Sequence, residues 1–443
     1  MKRKAFIKNA ALTAAGGMMM PYILPTGRLF AATGSRKVDH VVFCLFAGGV
    51  RNLESMQMAE GNVMPNTLIG NQSISSDIAG SMTALPAPAS QKLQSIGTLF
   101  KNFRYADGPT GHYNGHITAI TGKYSDEAVQ LKQPPKYPTI FEYYRKHNSP
   151  SQSALNSWWV CDSLGPYPYL NYSLYDGYGP LYGANTIQPG SIFSYNSNSV
   201  LGNTHSFTNT EKAKCDLMKE FMNGQFRSST QLVTNGIKNT PQDAETLQAF
   251  IKQMMLDLPT LIGSNPWGLP AIESMNNDMF NIFTGIKIIE QFKPELMVIN
   301  LQGIDIGHFN FTDYVDNMRK ADFALRKLWD TIQSTPGMQN NTVLIVAPEH
   351  GRNRESNTVA DTNGRYALDH TAPPPTSDPN ADQMAREIFC LIAGPSGKVR
   401  QNQVITNQIG QSVDILPTIA NVLGFGSSID VALDGRVLTE AFY

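Results

Sequence analysis

Two short apolar runs constrain the fold of this chain more than any other feature. Residues Glu295–Leu301 and Thr342–Ala347 each have the length and character of a buried strand. Each run is followed by a carboxylate and a histidine, in Gly303–His308 and in Pro348–Asn353. In an open parallel α/β sheet, the loops at the carboxyl ends of the strands share one edge, where ligands bind. The sequence therefore predicts that two distant acid–histidine pairs meet at that edge.

The side chains of these loops have the composition of a divalent metal site. A third acid–histidine pair lies in the polar loop that follows the second segment. Carboxylate oxygen together with neutral imidazole nitrogen suits Zn²⁺, with Mn²⁺ or Fe as alternatives, whereas Ca²⁺ prefers oxygen alone. The alternative is that His308 and His350 only cap their strands. The six candidate metal ligands are Asp305, His308, Glu349, His350, Asp369 and His370.

Strands alternate with helices along much of the chain, which favours an α/β fold. Val38–Phe46 and Ile388–Ala393 have the pattern of further strands, and Asp414–Gly424 has the pattern of a short helix. Residues 313–332 form the clearest helical pattern, because apolar residues recur there every three or four positions. Thr312 is the predicted N-cap of that helix.

We expect residues 35–443 to form a single domain, with a helical and irregular insertion over about residues 164–292. The first part of that insertion is rich in tyrosine. It either packs as an ordered surface loop or faces the substrate as a lid, and a glycan-binding surface is a further alternative. The tyrosines are Tyr167, Tyr169, Tyr172, Tyr175, Tyr178, Tyr182 and Tyr195.

Residues 1–34 have the pattern of a cleavable export signal. Lys2-Arg3-Lys4 is basic, Ala10–Leu24 is mostly small and apolar, and Ala32-Thr33-Gly34 offers small residues for cleavage. Arg3–Lys8 resembles a twin-arginine signal with Lys4 in place of the second arginine. The alternative is an amphipathic N-terminal helix. No other segment is long and apolar enough to span a membrane, so we expect a periplasmic or secreted protein without a transmembrane helix.

The overall charge argues against nucleic acid as a partner. The chain has 35 Lys and Arg residues against 36 Asp and Glu residues, a formal net charge of −1. A protein that binds nucleic acid through its backbone phosphates usually carries a basic surface. We therefore expect no nucleic-acid partner.

The order of these motifs resembles the alkaline phosphatase and sulfatase superfamily. Asp305 and His308 resemble the acid–histidine pair after one central strand of that family, and Glu349-His350-Gly351 resembles its Asp-His-Gly. His370 matches the later histidine, and Asp414–Thr418 matches the Asp-Ile-(hydrophobic)-Pro-Thr segment. An uncharacterised exported branch has Gly-Phe-Asp-Thr-His-like and Ser-Glu-Phe-Gly-Arg-like segments in the same order. The resemblance implies a three-layer sandwich with a mostly parallel central sheet and two metal positions.

Two departures from the family pattern concern its chemistry. The family has a metal-binding aspartate after its first strand, whereas this chain has Ala47-Gly48-Gly49, so one ligand of the second metal is missing. The family's nucleophile opens a helix before a Thr-Gly segment, which Thr121-Gly122 matches. By spacing, His112 lies nearest the nucleophile position, and Thr110 is the only nearby hydroxyl of the usual kind.

The resemblance implies an exported metal-dependent hydrolase of phosphate or sulfate esters. His112 and His116 are expected to be the general acid and base or extra ligands, although His116 is also explained as a packed helix residue. Arg352 is expected to bind an oxygen of the substrate, or else to form an ion pair with Glu349 or Asp369. Without a hydroxyl nucleophile, water activated by the metal would attack the ester directly.

The expected substrate is a small anionic ester or a sulfated or phosphorylated glycan. The alternative function is a catalytically degenerate member of the superfamily that acts as a binding or scaffold protein. The missing carboxylate after the first strand favours that alternative, and a protein partner would then be expected.

Overall fold

The structure is a computed structural model, and it describes most of the chain from residue 36 onward. The predicted export signal at residues 1–34 and Tyr195 lie outside the described residues. Within residues 36–443, the ranges that the structure does not describe are 71–72, 129–130, 149–153, 163–164, 193–208, 211–212, 214–238, 264, 271–274, 371–382 and 408–409.

The described residues form one eight-stranded sheet in the order β4-β3-β5-β1-β6-β7-β2-β8. Strand β7 runs antiparallel to both of its neighbours, and every other neighbouring pair is parallel. The predicted mostly parallel sheet is therefore confirmed. The strands are β1 (His40–Phe46), β2 (Gly97–Arg104), β3 (Ser157–Val160), β4 (Asn185–Ile187), β5 (Leu296–Leu301), β6 (Thr342–Pro348), β7 (Glu387–Ala393) and β8 (Gln403–Ile405).

Five longer helices accompany the sheet in the described part of the chain. None of the described helices combines the length and the apolar character that a membrane crossing requires. The long helices are α1 (His112–Thr121), α2 (Pro241–Gly263), α3 (Asn277–Phe292), α4 (Phe311–Ser334) and α5 (Ile415–Leu423), and the short ones are Ser76–Ala79, Ile140–Tyr143 and Pro189–Ile192.

The helices cover both faces of the sheet. Successive side chains of a strand point to opposite faces, and those of β1 divide between two separate cores. Val42, Cys44 and Phe46 share one core with residues of α2, α3 and α4. The residues that alternate with them share the other core with residues of α1 and α5. This arrangement confirms the three-layer α/β sandwich, in which each fully buried aliphatic or aromatic side chain contributes roughly 1.5–3 kcal/mol.

Helix α4 follows its sequence pattern closely but begins at a different cap. The predicted range 313–332 is helical, and the helix extends from Phe311 to Ser334. The side chain of Asn310, rather than Thr312, accepts the hydrogen bond from the Asp313 amide. The Thr312 hydroxyl instead donates to the Asp361 carboxylate. The prediction of Thr312 as the N-cap was therefore wrong, because this hydroxyl has a partner in a distant loop.

Candidate metal centre

The candidate centre lies at the carboxyl ends of three neighbouring central strands, β5, β1 and β6. Asp305 and His308 belong to a 3-10 turn that follows β5 directly, and Glu349 and His350 follow β6. His112 is the first residue of α1. The loop that carries His370 is tied to the turn after β5 by a hydrogen bond from the Leu368 amide to the Gly307 carbonyl, 2.7 Å long. Four separate segments therefore converge on one point.

One carboxylate oxygen and three imidazole nitrogens form the closest group in the centre. Asp305 Oδ1 lies 3.4 Å from His112 Nε2, 3.5 Å from His308 Nε2 and 3.8 Å from His370 Nε2. All four atoms lie within 4.8 Å of one another. Asp305, His308 and His370 were expected from the sequence to meet here. His112, expected to be a general acid or base or an extra ligand, lies in the same group.

The second nitrogen of each ring determines which nitrogen carries the free lone pair. His350 Nδ1 donates to the Gly351 carbonyl at 2.8 Å, and His370 Nδ1 donates to the Thr110 carbonyl at 2.6 Å. His308 Nδ1 donates to Asp369 at 2.7 Å. Since these oxygens only accept, Nε2 of each neutral ring keeps its lone pair.

The Nε2 atoms of His350 and His370 are buried and have no hydrogen-bond partner. An unpaired buried polar atom is costly, and a bound cation would satisfy these lone pairs. Both atoms belong to rings that approach each other closely, with ring centres 4.2 Å apart. The donors therefore fit a divalent metal ion of the borderline class, since imidazole nitrogen and carboxylate oxygen are combined.

Glu349 is completely buried, and both of its oxygens accept hydrogen bonds. Oε1 accepts from the Gly48 amide at 2.6 Å and from His112 Nδ1 at 2.8 Å. Oε2 accepts from His116 Nδ1. His350 Nε2 lies 3.1 Å from Oε1 but makes no hydrogen bond with it. Burial would raise the pKa of Glu349, but the surrounding histidines, led by His116, outweigh it and hold the pKa well below its usual range.

His116 has both ring nitrogens committed to protein partners. Nδ1 donates to Glu349, and Nε2 accepts from the Asn300 side-chain amide at 3.0 Å. The ring is fully buried, 4.7 Å from the ring of Tyr167. This geometry favours the packed-residue explanation over a ligand or a general acid. Asn300 was missed by the sequence analysis, although a polar residue inside the apolar run of β5 was a usable signal.

Helix α1 brings two histidines to Glu349 because a glycine lets it approach closely. His112 and His116 are four residues apart, so they lie on the same face of the helix. Gly115 lies between them, and a Cβ there would be 2.9 Å from both Glu349 Cβ and the Glu349 carbonyl oxygen. Any side chain at residue 115 would push the helix away from the centre.

Arg352 occupies a different place from the one expected of a substrate-binding residue. Its side chain is fully buried, and its guanidinium donates to the carbonyls of Gly49, Ile304 and Leu368. It also donates to Asp305 Oδ1 at 3.2 Å. The residue therefore joins three loops of the centre, and its ion-pair partner is Asp305 rather than Glu349 or Asp369. Desolvation by burial lowers the pKa of Arg352.

Thr110 and Asp369 hold histidines in place. The Thr110 hydroxyl donates to the His370 carbonyl, and the Thr110 carbonyl accepts from the His370 ring. Asp369 accepts from the His308 ring and from the Asn357 side chain at 3.2 Å. The structure thus gives both residues partners of their own, and the threonine hydroxyl is not a free nucleophile.

The charges of the centre depend strongly on one another. Burial would lower the pKa of His112, but Glu349 and Asp305 outweigh it and raise the pKa to about 10. Burial would raise the pKa of Asp305, but His112, Arg352 and His308 lower it to about 2. Burial and the neighbouring rings hold the pKa of His370 well below its usual range. Without a metal, His112 is therefore protonated, and its positive charge lies between the carboxylates of Glu349 and Asp305.

The centre opens to solvent on the side of the turn after β5. The side chains of Asp305 and His308 are 28% and 23% exposed, whereas those of Glu349 and His350 are fully buried. Two exposed apolar side chains lie in or next to this turn in the sequence. Ile306 is 36% exposed and Phe309 is 68% exposed. A ligand would therefore reach the centre past Asp305 and His308.

The chain is similar to solved structures from the alkaline phosphatase superfamily. One is a protein of that superfamily from Vibrio parahaemolyticus, with 12% identity, covering 95% of this chain and 74% of that chain, at a TM-score of 0.47. A mutant of alkaline phosphatase PafA has 11% identity, 92% and 99% coverage and a TM-score of 0.46. A phosphonate monoester hydrolase from Silicibacter pomeroyi has 13% identity, 90% and 76% coverage and a TM-score of 0.42.

No family model matches the sequence, and no curated protein matches it either. Identities and TM-scores of this size say nothing about the reaction of this chain.

Proposed function

We propose that this chain is an exported, metal-dependent hydrolase of phosphate or sulfate esters. One observation carries the proposal: Asp305 Oδ1 and the Nε2 atoms of three histidines lie within 4.8 Å of one another at the open edge of the sheet. Three segments of the chain, the turn after β5, helix α1 and the loop that carries His370, must be positioned together to achieve this, and a purely structural cluster of histidines does not require it. The substrate class follows from the resemblance of the sequence motifs.

The residues of the centre divide into those that would hold the ion and those that orient them. Asp305, His112, His308 and His370 offer the closest ligand atoms, and the ring of His350 lies 4.2 Å from that of His370. Asp369 and the carbonyls of Thr110 and Gly351 fix the rings of His308, His370 and His350. When bound, a divalent ion such as Zn²⁺ would polarise an ester oxygen and lower the pKa of a water molecule beside it. The Thr110 hydroxyl is engaged with His370, so we propose water rather than a side chain as the nucleophile.

The proposal is tested by metal analysis of the purified protein, followed by a screen of aryl phosphates, phosphodiesters and aryl sulfates. We expect bound metal and turnover of at least one class, and we expect His350→Ala to abolish that turnover. His147→Ala is the matched control, because His147 is bound to the Tyr178 hydroxyl at 2.8 Å and lies outside the candidate centre. Absence of bound metal would refute the proposal.

The second candidate function is a binding or scaffold protein that keeps the fold. The observation in its favour is that the side chains expected to handle substrate have internal partners: Arg352 is buried among carbonyls, and the Thr110 hydroxyl is bound to His370. Bound metal without turnover of any substrate in the same screen would favour this candidate over the hydrolase.

Export is tested separately, since residues 1–34 lie outside the described part of the chain. When the full-length chain is expressed, we expect to recover it outside the cytoplasm with its N-terminal segment removed. Mass spectrometry of the recovered protein measures this. Replacement of Arg3 and Lys4 by glutamine should retain the unprocessed chain in the cytoplasm. Recovery of unprocessed wild-type protein from the cytoplasm would contradict export.

A further inference from the structure

We infer that the centre binds a single divalent ion, that His112 is one of its ligands, and that Glu349 acts on His112 rather than on the ion. This inference deepens the proposed function and rests on the metal centre proposed there. It departs from the two metal positions that the sequence resemblance implies. Of the roles expected for His112 from the sequence, it selects that of a metal ligand over nucleophile, general acid or general base.

The first step is the spacing of the four closest donor atoms. A tetrahedral ion with bonds of 2.0–2.1 Å has its ligand atoms about 3.3 Å apart. Asp305 Oδ1 lies 3.4, 3.5 and 3.8 Å from the Nε2 atoms of His112, His308 and His370. These three separations exceed the edge of such a tetrahedron by about 0.5 Å or less, and the separations between the nitrogens are within 4.8 Å. The group with His112 included is therefore already close to the geometry of one ion.

The second step is the orientation of the His112 ring. Its Nδ1 lies 2.8 Å from Glu349 Oε1, and a carboxylate can only accept. Nε2 therefore faces Asp305 and the two neighbouring imidazoles. A histidine that ligates a metal through one nitrogen commonly donates its other N–H to a carboxylate, which fixes the ring and raises its basicity. Glu349 and His112 have this arrangement.

The third step is the absence of room for a second set of ligands beside β1. The resemblance places a carboxylate in the turn after this strand, where the chain has Gly48 and Gly49. A Cβ at residue 48 would lie 2.6 Å from Asp305 Cα, and a Cβ at residue 49 would lie 2.4 Å from the Gly351 carbonyl oxygen. Both contacts are with backbone atoms, which cannot move aside easily. No side chain fits where the second ion needs one.

Glu349 is the remaining candidate ligand for a second ion, but both of its oxygens already accept hydrogen bonds. Its oxygens accept from the Gly48 amide, from His112 and from His116, so N–H groups already occupy the positions from which it would bind metal. The Gly48 amide also places a partial positive charge where the resemblance calls for a negative ligand. His112, Glu349 and His350 also offer ligand atoms within 4.8 Å of one another. His112 Nε2 is already used by the first ion and the oxygens of Glu349 by N–H groups, so only His350 is left for a second ion and these residues support one.

The ligand set indicates the class of ion. Three imidazole nitrogens and one carboxylate oxygen suit Zn²⁺ and other borderline divalent ions in tetrahedral geometry. Ca²⁺ and Mg²⁺ are disfavoured, because they prefer six or more oxygen ligands or several retained waters.

The inference is tested by loading the full mature chain with Zn²⁺ and measuring stoichiometry and affinity by equilibrium dialysis and titration calorimetry. We expect one equivalent per chain. His112→Ala should weaken Zn²⁺ binding by more than the ~10–100-fold that is usual when an outer partner of a ligand is removed. His147→Ala, which removes a histidine outside the centre, should leave binding unchanged. Two equivalents per chain, or unchanged affinity in His112→Ala, would overturn the inference.

A second measurement does not depend on the folding of a variant that lacks His112. Pulsed electron paramagnetic resonance of the wild-type protein loaded with one equivalent of Cu²⁺ counts the coordinated imidazoles through their remote nitrogens. We expect at least three, and isotopic labelling of histidine should shift the signals. The count should still be three in His350→Ala, and fewer than three coordinated imidazoles in that variant would contradict the inference, because His308 and His370 alone then supply only two.

The outcomes also separate this inference from the proposed function. A wild-type chain that binds no metal refutes both. A chain that binds two ions and hydrolyses esters keeps the proposed function and loses the inference. A chain that binds one ion through fewer than three imidazoles, with turnover, has the same consequence.

Discussion

At the scale of single residues, the hydrogen bonds of each ring nitrogen show which histidines can bind a metal and which cannot. His112 and His116 stand on the same helix and donate to the same carboxylate. Only His116 receives a further hydrogen bond at Nε2, from Asn300. The hydrogen bond from Asn300 thus leaves His116 without a free lone pair for a metal. His112 Nε2 faces Asp305.

Arg352 should matter more for stability than for substrate binding. Arg352→Ala removes a buried cation that joins three loops and leaves Asp305 without its guanidinium partner, so we expect the free energy of unfolding to fall by about 3–5 kcal/mol. Chemical denaturation measures this change. Arg352→Lys should recover little of the loss, because an ammonium group cannot reproduce the planar set of donors.

The exposed Arg436 is the control for that experiment. It pairs with Glu440, four residues later in the chain, and its side chain is 42% exposed. Arg436→Ala should change the free energy of unfolding by less than about 1 kcal/mol. Equal effects of the alanine substitutions at residues 352 and 436 would show that Arg352 does not hold the loops together.

Asp278 should make the stability of the chain depend on pH. It is fully buried in the first turn of α3, where Oδ1 accepts from the Gly303 amide and Oδ2 has no hydrogen-bond partner. Burial raises the pKa of Asp278 to about 7 from its ordinary value of 3.8. Between these values the folded chain holds a proton that the unfolded chain has released. The stabilising contribution is therefore fully present below pH 4 and is lost as the pH rises to 7.

Asp278→Asn should remove this pH dependence, since an amide does not titrate. The difference in free energy of unfolding between the variant and the wild type should shift in favour of the variant by up to ~4 kcal/mol from pH 4 to pH 7, at about 1.4 kcal/mol per pKa unit. Urea denaturation at several pH values measures it. Asp330→Asn, at a half-exposed position, is the control. If the stability difference between Asp278→Asn and the wild type did not change with pH, the raised pKa of Asp278 would be contradicted.

At the scale of elements, the approach of helix α1 to the loop after β6 sets the geometry of the centre. Glycine to alanine in a helix usually stabilises by about 0.5–1 kcal/mol. Gly115→Ala should do the opposite, because its Cβ would lie 2.9 Å from the Glu349 Cβ and carbonyl oxygen. We expect a loss of about 1–3 kcal/mol in unfolding free energy and weaker Zn²⁺ binding, measured by denaturation and calorimetry.

Gly397 provides the matched control for the helix glycine. No atom lies within 4 Å of a Cβ built at residue 397, so Gly397→Ala should leave both quantities nearly unchanged. If Gly115→Ala stabilised the chain and bound Zn²⁺ normally, the helix would not depend on close contact with Glu349.

Elements with a strong local pattern were predictable from the sequence, and elements defined by their neighbours were not. The apolar residues of α4 recur at helical spacing, and β1, β5 and β6 are continuous apolar runs, so their patterns alone identify them. Strand β4 is the three-residue segment Asn-Thr-Ile, which becomes a strand only because β3 offers an unpaired edge. No local pattern distinguishes it from a loop.

The candidate site shows the same division between local and distant information. The acid–histidine pairs were visible because the residues of each pair are close in sequence. The exchange of hydrogen bonds between Thr110 and His370 joins residues that are 260 positions apart, and the burial of Arg352 depends on three loops at once. Such partners follow from the packing of the whole sheet and are not visible in the sequence. Residue type alone therefore suggested Thr110 as a nucleophile and Arg352 as a substrate-binding residue.

At the scale of the whole molecule, metal binding should stabilise the folded chain, because the candidate ligands come from segments distant in sequence. An ion that binds only the folded state contributes about 2.7 kcal/mol when its concentration is 100 times its dissociation constant. A chelator should therefore lower the midpoint of thermal unfolding of the metal-loaded protein. The same chelator should have little effect on His370→Ala, which lacks a proposed ligand, and an unchanged midpoint in the wild type would contradict metal binding by the folded state.

The tight packing of Gly48 against Asp305 has an evolutionary consequence. A mutation that introduced aspartate at residue 48 would not by itself recruit a second ion, because its Cβ would collide with the backbone of Asp305 and disturb the amide that donates to Glu349. Side chains at both residues 48 and 49 would require shifts in the turn after β5 and in the loop after β6. We therefore expect variants of this chain that alter only this turn to lose order in the centre before they bind a second ion.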